Sequence, residues 1–490
     1  YDAAEWRKVA LHKDAGFNAI RCAHNPPAEA MLDACDHLGI LVIDEAFDYW
    51  REGKKPYDLH MTFDSRWRDD MRDMILRDRN HPCVIAWSTG NEIGERDGRS
   101  DGYAYSRKLA DYARSLDATR FINSAICGIF EDLTSLDEME KTAPTPERDP
   151  WGDKTEAYAA PLDIVGYNYL WSRYDYDGQR FPGRVICGTE SKPMEAFDNW
   201  SRIERLPYVI GDFVWTSLDY LGESGIGRVD YGPADGPAPF VAPYPWHLAY
   251  CGDLDICGVA RPQMAYKQIL WRQRRTPYLA VYPPCRYGQE ARPFMWAWPD
   301  VAHTWSYAGY EGKPTRVDVY SSGDEVELIL NGVSLGVRPC GFDTRYTASF
   351  DVAYEPGTLE AVSYVNGVET GRDTLVTPGP AAGIRLTVDR TALRAAYGDL
   401  AYVSATVVDE AGRRVPTDRA TLSFRVEGVG DLAAVGTGNP VSEESYAGDS
   451  RVAFQGRALG IVRTLGEAGG IRVTVSALGL TPATVDLTAQ

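Results

Sequence analysis

The sequence predicts an α/β barrel followed by all-β modules: a (β/α)8 TIM barrel whose first strand would lie upstream of Tyr1, then two immunoglobulin-like β-sandwich domains. Three observations predict it. Short apolar strands alternate with helical segments through residue 272, those strands are apolar nearly throughout, and beyond Thr276-Pro277 helical periodicity gives way to short alternating strands with Gly turns. The expected boundaries are 1–276 for the barrel, incomplete at its N-terminus, 277–379 for the first sandwich and 380–490 for the second. A chain of 490 residues with 44% hydrophobic composition is long enough for separate cores in each.

In chain order, residues 2–15 read as an amphipathic helix with Trp6, Val9 and Ala10 on one face, ended by Gly16. A strand follows at Phe17–Cys22, then the loop Ala23-His24-Asn25-Pro26-Pro27, a helix over Ala28–Leu38 closed by Gly39, and a strand at Ile40–Asp44. The arm Trp50–Thr62, rich in Pro, Gly and Lys, reads as a substrate-side loop. Ser65–Arg79 is helical and leads through the turn Asn80-His81-Pro82 into V-I-A-W-S-T-G-N-E at 84–92. That run is an apolar strand stopping abruptly in small residues, an amide and an acid. A helix at Tyr103–Leu116 and strands at Arg120–Ala125, Leu162–Tyr169, Arg184–Glu190 and Tyr208–Trp215 follow, with Gln263–Arg272 as a closing helix. The count is seven strands.

In the second half, Thr315–Tyr320 and Glu325–Leu330 with the Asn331-Gly332 turn, and Leu359–Tyr364 with Asn366-Gly367, carry hairpin signals. The linker Thr377–Gly383 separates them from sandwich strands at Ile384–Val388, Tyr402–Val408, Ala420–Val426 and Ile471–Ala477. Neither module carries recognisable chemistry; their expected role is structural or substrate-positioning.

Composition narrows the function. Seventy acidic against fifty-one basic residues give a net charge of −19, which repels nucleic acid and anionic membrane surfaces and suits a neutral substrate. No apolar run reaches the length of a membrane span and no signal-type segment opens the chain; because Tyr1 stands where a Met would, export is not judged from this end. Nine scattered cysteines without C-x-x-C spacing argue against a zinc site, and their odd number reads as free thiols in a reducing, cytoplasmic setting.

In a barrel, residues just after each strand converge on one rim. Collected, they are Arg21, His24 and Asn25; Asp44 and Glu45; Asn91 and Glu92; Tyr167, Asn168 and Tyr169; Glu190; and Trp215. Either Glu alone reads as a solvated rim residue. Two carboxylic acids on one rim, each after small residues, are what cleavage of a glycosidic bond requires: one protonates the leaving oxygen, the other works at the anomeric carbon.

At these residues the sequence resembles a known family. The segments G-F-N-A-I-R-C-A-H-N-P-P (16–27), L-V-I-D-E-A-F-D (41–48), R-N-H-P-C-V-I-A-W-S-T-G-N-E (79–92) and V-I-C-G-T-E-S (185–191) together are similar to glycoside hydrolase family 2, which holds β-galactosidases, β-glucuronidases and β-mannosidases. The later segments V-E-L-I-L-N-G-V-S-L-G (326–336) and A-V-G-T-G-N-P (434–440) resemble the trailing β modules of its galactosidase-like members. The resemblance implies the C-terminal portion of a larger enzyme. It implies Glu92 as general acid/base and Glu190 as nucleophile, Arg21 and Tyr169 as donors to Glu190, Asn91 as the amide on the sugar 2-hydroxyl, and His24, Trp215 and Asp44 as further subsite residues. Phe47 stands two places after Glu45 where magnesium-dependent relatives carry a His, which argues against a divalent cation at Glu45, so no cofactor and no metal are expected. No Asn-x-Lys of the kind that holds a uronic acid follows the last strand.

The expectation is a retaining exo-β-glycosidase, foremost a β-galactosidase. Its partner is a small-molecule β-glycoside or oligosaccharide, with homo-oligomerisation allowed for. The alternatives are a β-glucuronidase, β-mannosidase or β-galacturonidase, or a non-catalytic carbohydrate-binding scaffold.

Overall fold

The computed structural model describes residues 1–128, 149–233 and 238–490. The chain divides into two compact units: Glu5–Trp215, and Thr216–Gln490 together with Tyr1–Ala4.

The first unit is a seven-stranded parallel sheet curved toward a barrel, with strands in sequence order: β1 (Ala19–Arg21), β2 (Leu41–Glu45), β3 (Val84–Asn91), β4 (Phe121–Ile126), β5 (Ile164–Asn168), β6 (Ile186–Ser191) and β7 (Val209–Val214). This is the TIM-like architecture the strand count predicted, with β1 and β7 at the two edges of the sheet. Helices connect successive strands: α1 (Asp2–Ala15) precedes β1, and α2 (Glu29–Leu38), α3 (Phe63–Asp78), α4 (Gly102–Leu116), α5 (Pro150–Ala159), α6 (Tyr174–Arg180) and α7 (Ala196–Ile203) follow in turn. Two caps are legible locally. Gly39 ends α2 in the left-handed region at φ 72°, and Asp149 caps α5 by accepting from the Gly152 N–H at 2.9 Å. On α1 the expected apolar face is only partly buried: Val9 is inaccessible, whereas Trp6 stays exposed against the His37 ring.

The side-chain alternation of the strands separates two environments. One face packs on the helices in a single core that joins Val42, Val84, Trp87, Ile122, Val165 and Ile186 to Leu32, Met71, Ile75, Leu109 and Tyr158. Ile43, Ala86, Ile164 and Cys187 form a smaller cluster of their own. Register shifts break the ladders between Ser88 and Asn91 on β3, between Tyr167 and Asn168 on β5, and on β6 before Ser191. Bulges at strand ends turn the following side chains out of the simple alternation, and they fall where the polar residues begin.

In the second unit, a three-stranded sheet (Tyr278–Val281, Pro314–Tyr320, Thr347–Ala353) and a four-stranded sheet (Glu325–Leu330, Val333–Pro339, Thr358–Val365, Val368–Val376) contribute to one core around Leu279, Val317, Leu328, Phe350 and Leu359. The Asn331-Gly332 and Asn366-Gly367 turns have both residues at positive φ, the twist that a two-residue hairpin needs. A four-stranded and a five-stranded sheet follow within 381–489, with Ala405, Val407, Leu422, Phe424 and Val475 between them. The helix Pro262–Leu270 belongs to this unit. Among the described residues, no helix is long and apolar enough to cross a membrane.

Candidate active site

The C-terminal ends of β1 to β6 bring most of the expected residues into one hydrogen-bonded group. At its centre is Arg21, the last residue of β1, whose guanidinium is almost completely buried. Its Nε and Nη2 donate to Glu45, Nη2 also to Asn91 Oδ1 at 2.8 Å, and Nη1 to Glu190 Oε1 at 2.9 Å and to the Thr189 carbonyl at 3.0 Å. One rigid fork thus ties β1 to β2, β3 and β6. Burial works against the charge of Arg21, but the two carboxylates more than restore it and push its pKa upward.

Glu45 ends β2 and is inaccessible to solvent. Both its oxygens are occupied, by Arg21, by His24 Nδ1 at 2.8 Å and by Ser88 Oγ at 2.7 Å. Burial alone would raise its pKa; the Arg21 charge, His24 and the Ser88 hydroxyl overcome it and hold the carboxyl at about 2. Burial likewise favours the neutral form of His24, and Glu45 and Glu190 reverse that and raise its pKa. With Nδ1 turned to Glu45, His24 Nε2 faces Asn91 Nδ2 at 3.3 Å and Glu190 Oε1 at 3.8 Å. The neutral ring accepts from the amide; the protonated ring points a proton toward Glu190. Trp215 lies flat on this imidazole, with ring centroids 5.1 Å apart and planes 3° from parallel.

Glu190, on β6, accepts from Arg21 on one oxygen and from the Tyr169 hydroxyl on the other at 2.6 Å. Its pKa is raised: burial and the charge of Glu92 outweigh Arg21, His24 and Tyr169, which oppose them. Glu92 is half-buried directly after β3, and its Oε1 accepts from Asn168 Nδ2 at 3.0 Å. The two carboxyl groups are therefore dressed differently. Glu190 has a cation and a phenol, donors that favour its ionised form, whereas Glu92 is held by a neutral amide.

Both Glu92 (φ 46°) and Tyr169 (φ 61°) adopt the left-handed backbone that non-glycine residues avoid. Main-chain bonds from the neighbouring strand hold each there: Glu92 N–H donates to Ala125 C=O at 2.9 Å and Tyr169 N–H to Glu190 C=O at 2.8 Å.

Asp44 is placed elsewhere. On the strand alternation it shares the helix side of β2 with Val42, is inaccessible, and faces Asp78 of α3. Among the described residues, neither Asp44 oxygen has a hydrogen-bond donor by ordinary geometry. Burial first, then the proximity of Asp78, raises its pKa well above the usual carboxylate range, and Arg77 Nε pairs with Asp78 Oδ1 at 2.6 Å.

Sequence reasoning left several contributors without a role, Asn168, Asp48 and Lys54 among them. Asn168 is the hinge of the group: its Oδ1 accepts from Thr189 Oγ1 at 2.6 Å, which fixes the amide so that Nδ2 donates to Asn91 Oδ1 and Glu92 Oε1, both at 3.0 Å. Asp48 accepts from Asn91 Nδ2 at 2.9 Å, and Lys54, on the arm after β2, donates to Asp48 and to the Asn91 carbonyl. The signal for Asn168 was its place beside Tyr169 at a strand end.

Comparison with known proteins adds the family context. Residues 6–161 match the domain described as "Glycosyl hydrolases family 2, TIM barrel domain" and residues 384–486 that described as "Glycoside hydrolase family 2 C-terminal domain 5"; residues 312–371 match a domain of unknown function. The β-galactosidase BoGH2A of Bacteroides ovatus is 29% identical over 99% of this chain and 58% of its own length. A putative β-glucuronidase of Formosa agariphila is 28% identical over 96% of this chain and 45% of its own. The crystal structure of a glycosyl hydrolase family 2 member from Bacteroides cellulosilyticus superposes with a TM-score of 0.89 at 39% identity, covering 100% of this chain and 60% of that one. The chain thus spans about half to three-fifths of the length of these relatives.

Proposed function

Because the chain belongs to glycoside hydrolase family 2, we propose that it carries the catalytic residues of a retaining exo-β-glycosidase acting on terminal β-D-galactosyl residues. The observation that carries this reading is the unequal setting of the two acids. Glu190 is an acceptor for Arg21 and Tyr169, and Glu92 sits across the same group on the Asn168 amide.

In the first step Glu190 attacks the anomeric carbon and forms a glycosyl ester, while Glu92 gives its proton to the departing glycosidic oxygen. Removing the negative charge of Glu190 by ester formation, and then giving Glu92 the proton of the incoming water, completes the cycle: the resulting hydroxyl attacks the same carbon, the ester breaks and Glu190 leaves as carboxylate. Arg21 holds Glu190 in place throughout, because its other donors are fixed on Glu45 and Asn91. Asn91 would contact the hydroxyl beside the anomeric centre, a bond that tightens as the ring flattens toward the oxocarbenium ion. The His24–Trp215 stack would supply the apolar face on which a pyranose ring rests. A metal at Glu45 is no part of this proposal, since Arg21, His24 and Ser88 already occupy both its oxygens.

The relative from B. ovatus, a β-galactosidase, favours the galactoside reading; the F. agariphila relative supports a β-glucuronide as second reading. The deciding experiment is a panel of aryl β-galactosides, β-glucuronides and β-mannosides with the intact protein, with Glu190→Gln as control and a 2-fluoro glycoside as trap. Abolished turnover in the variant and a trapped adduct on Glu190 are expected. Undiminished turnover by Glu190→Gln refutes the assignment, and an intact protein that turns over no glycoside favours a carbohydrate-binding scaffold.

A further inference from the structure

Four of the residues in the group above, Arg21, Glu45, Asn91 and Glu190, are buried, and their hydrogen-bonding groups face one another. Asp48 and Lys54 differ. Their side chains remain 26% and 31% exposed, so they too can meet an arriving molecule. They are also coupled to the centre: Asp48 Oδ1 accepts from both Lys54 Nζ and Asn91 Nδ2, and Lys54 also donates to the Asn91 carbonyl at 3.2 Å.

The arm that presents Lys54 is fixed by its own bonds. The Arg51 and Glu52 N–H groups both donate to the buried Glu95 Oε1 at 2.8 Å, and Lys55 N–H donates to Asp58 Oδ2 at 2.8 Å. Gly53 packs against the His60 ring so closely that a Cβ would lie 2.3 Å from Nδ1. A lysine held this way loses less freedom on binding than one on an open loop.

Counting protons and lone pairs gives the ligand chemistry. An ammonium has three donors. Lys54 spends two on Asp48 and Asn91, leaving one; Asp48 spends Oδ1, leaving Oδ2. One donor beside one acceptor complements neighbouring hydroxyls, each of which can accept and donate. It does not complement a carboxylate: an anion brought to Lys54 meets the charge of Asp48 at the same approach, and like charges in a partly buried site repel strongly. Arg21 offers such an anion no help, because its donors are all directed at Glu45, Asn91, Thr189 and Glu190.

We propose that Asp48 and Lys54 form a sugar-hydroxyl clamp beside Asn91 that admits neutral glycosides and disfavours uronides. The clamp rests on the reading of this site as a glycosidase subsite, but it concerns binding, so it is tested apart from turnover. In a Glu190→Gln background, ligand-observed NMR titration compares methyl β-galactoside with methyl β-galacturonide, with and without Lys54→Met and Asp48→Asn. The galactoside binds at least about tenfold more tightly than the uronide; Lys54→Met weakens the galactoside by about 10- to 100-fold, the range for a hydrogen bond to a charged group; and Asp48→Asn narrows the gap between the two sugars. Circular dichroism establishes that each variant is folded. Tighter binding of the uronide, a galactoside affinity within twofold of the parent in Lys54→Met, or no binding of either sugar overturns the clamp. If the intact protein hydrolyses no glycoside while the neutral preference and its loss in Lys54→Met persist, the catalytic reading falls and the clamp stands.

Discussion

Replacing Glu45 with Gln removes one charge from the centre of the site while keeping its shape. In the folded protein the carboxyl is held at about 2, against 4.5 for a free side chain. At 1.36 kcal/mol per pKa unit that difference corresponds to about 3 kcal/mol of stability at pH 7. The loss of one partner from a buried ion pair independently costs about 3–5 kcal/mol, so the two routes agree. The sign follows from the depressed value: the stabilisation is present above pH 4.5, falls as the pH drops below it, and is lost as the pH passes below the folded value of about 2. Hydrogen exchange of the β2 and β3 amides is the suitable assay, because a chain with two compact units need not unfold in a single step. Glu45→Gln should lose about 3 kcal/mol of protection for these amides at neutral pH, and the deficit should shrink as wild type is acidified from pH 4.5 toward pH 2. A deficit below about 1 kcal/mol at pH 7, or one that does not change with pH, refutes the account of Glu45 as the buried anchor of Arg21.

Tyr169→Phe removes the 2.6 Å bond to Glu190. Loss of a hydrogen bond to a charged group should lower kcat by about 10- to 100-fold, and because Tyr169 pulls the Glu190 pKa down, the acid limb of the pH–rate profile should move to higher pH; an unmoved limb contradicts the role. Asn168→Ala frees Glu92 and Asn91 together, so kcat should fall more for aryl glycosides with poor leaving groups than for activated ones, and equal losses for both would separate Asn168 from proton donation. Asp44→Asn should keep kcat/KM within about twofold of wild type, since Asp44 faces Asp78 and not the cluster. A carboxyl whose folded pKa is raised weakens the fold as pH climbs above its free value, so the same variant should melt at an equal or higher temperature than wild type at pH 8; a large loss of activity would return Asp44 to the substrate site.

The contrast between Asp44 and Glu45 shows what a sequence can carry. That one of two adjacent acids at the end of β2 faces inward follows from the two-residue period of a strand. Which one is not written in Leu41-Val42-Ile43, because a strand buried on both faces is apolar on both and its pattern has no phase. At β3 and β6 the small residues before Glu92 and Glu190 marked the acids without needing a phase. The role of Asn168, though not its place at the rim, was hidden differently. The register shift between Tyr167 and Asn168 turns consecutive residues in directions that simple alternation does not anticipate. Lys54 depends on an arm whose shape is set by Glu95, forty residues further on, and by the packing of Gly53 on His60; no local pattern encodes either contact.

The same bulged strand ends account for the strained backbone at the site. Glu92 and Tyr169 each hold a left-handed conformation that costs of order 1–3 kcal/mol. A glycine would relieve that cost at either position, yet both carry side chains that belong to the candidate site. The compensation is visible one strand away, where each strained residue donates its N–H to the adjacent strand. For Tyr169 that acceptor is the carbonyl of Glu190 itself, so one pair of residues is joined twice, backbone to backbone and phenol to carboxylate. Any motion that released the Tyr169 backbone would also move its hydroxyl off Glu190. Main-chain pairing beyond the end of β5 and the phenol bond to the candidate nucleophile thus act on the same pair of residues, and the left-handed backbone of Tyr169 is held between them.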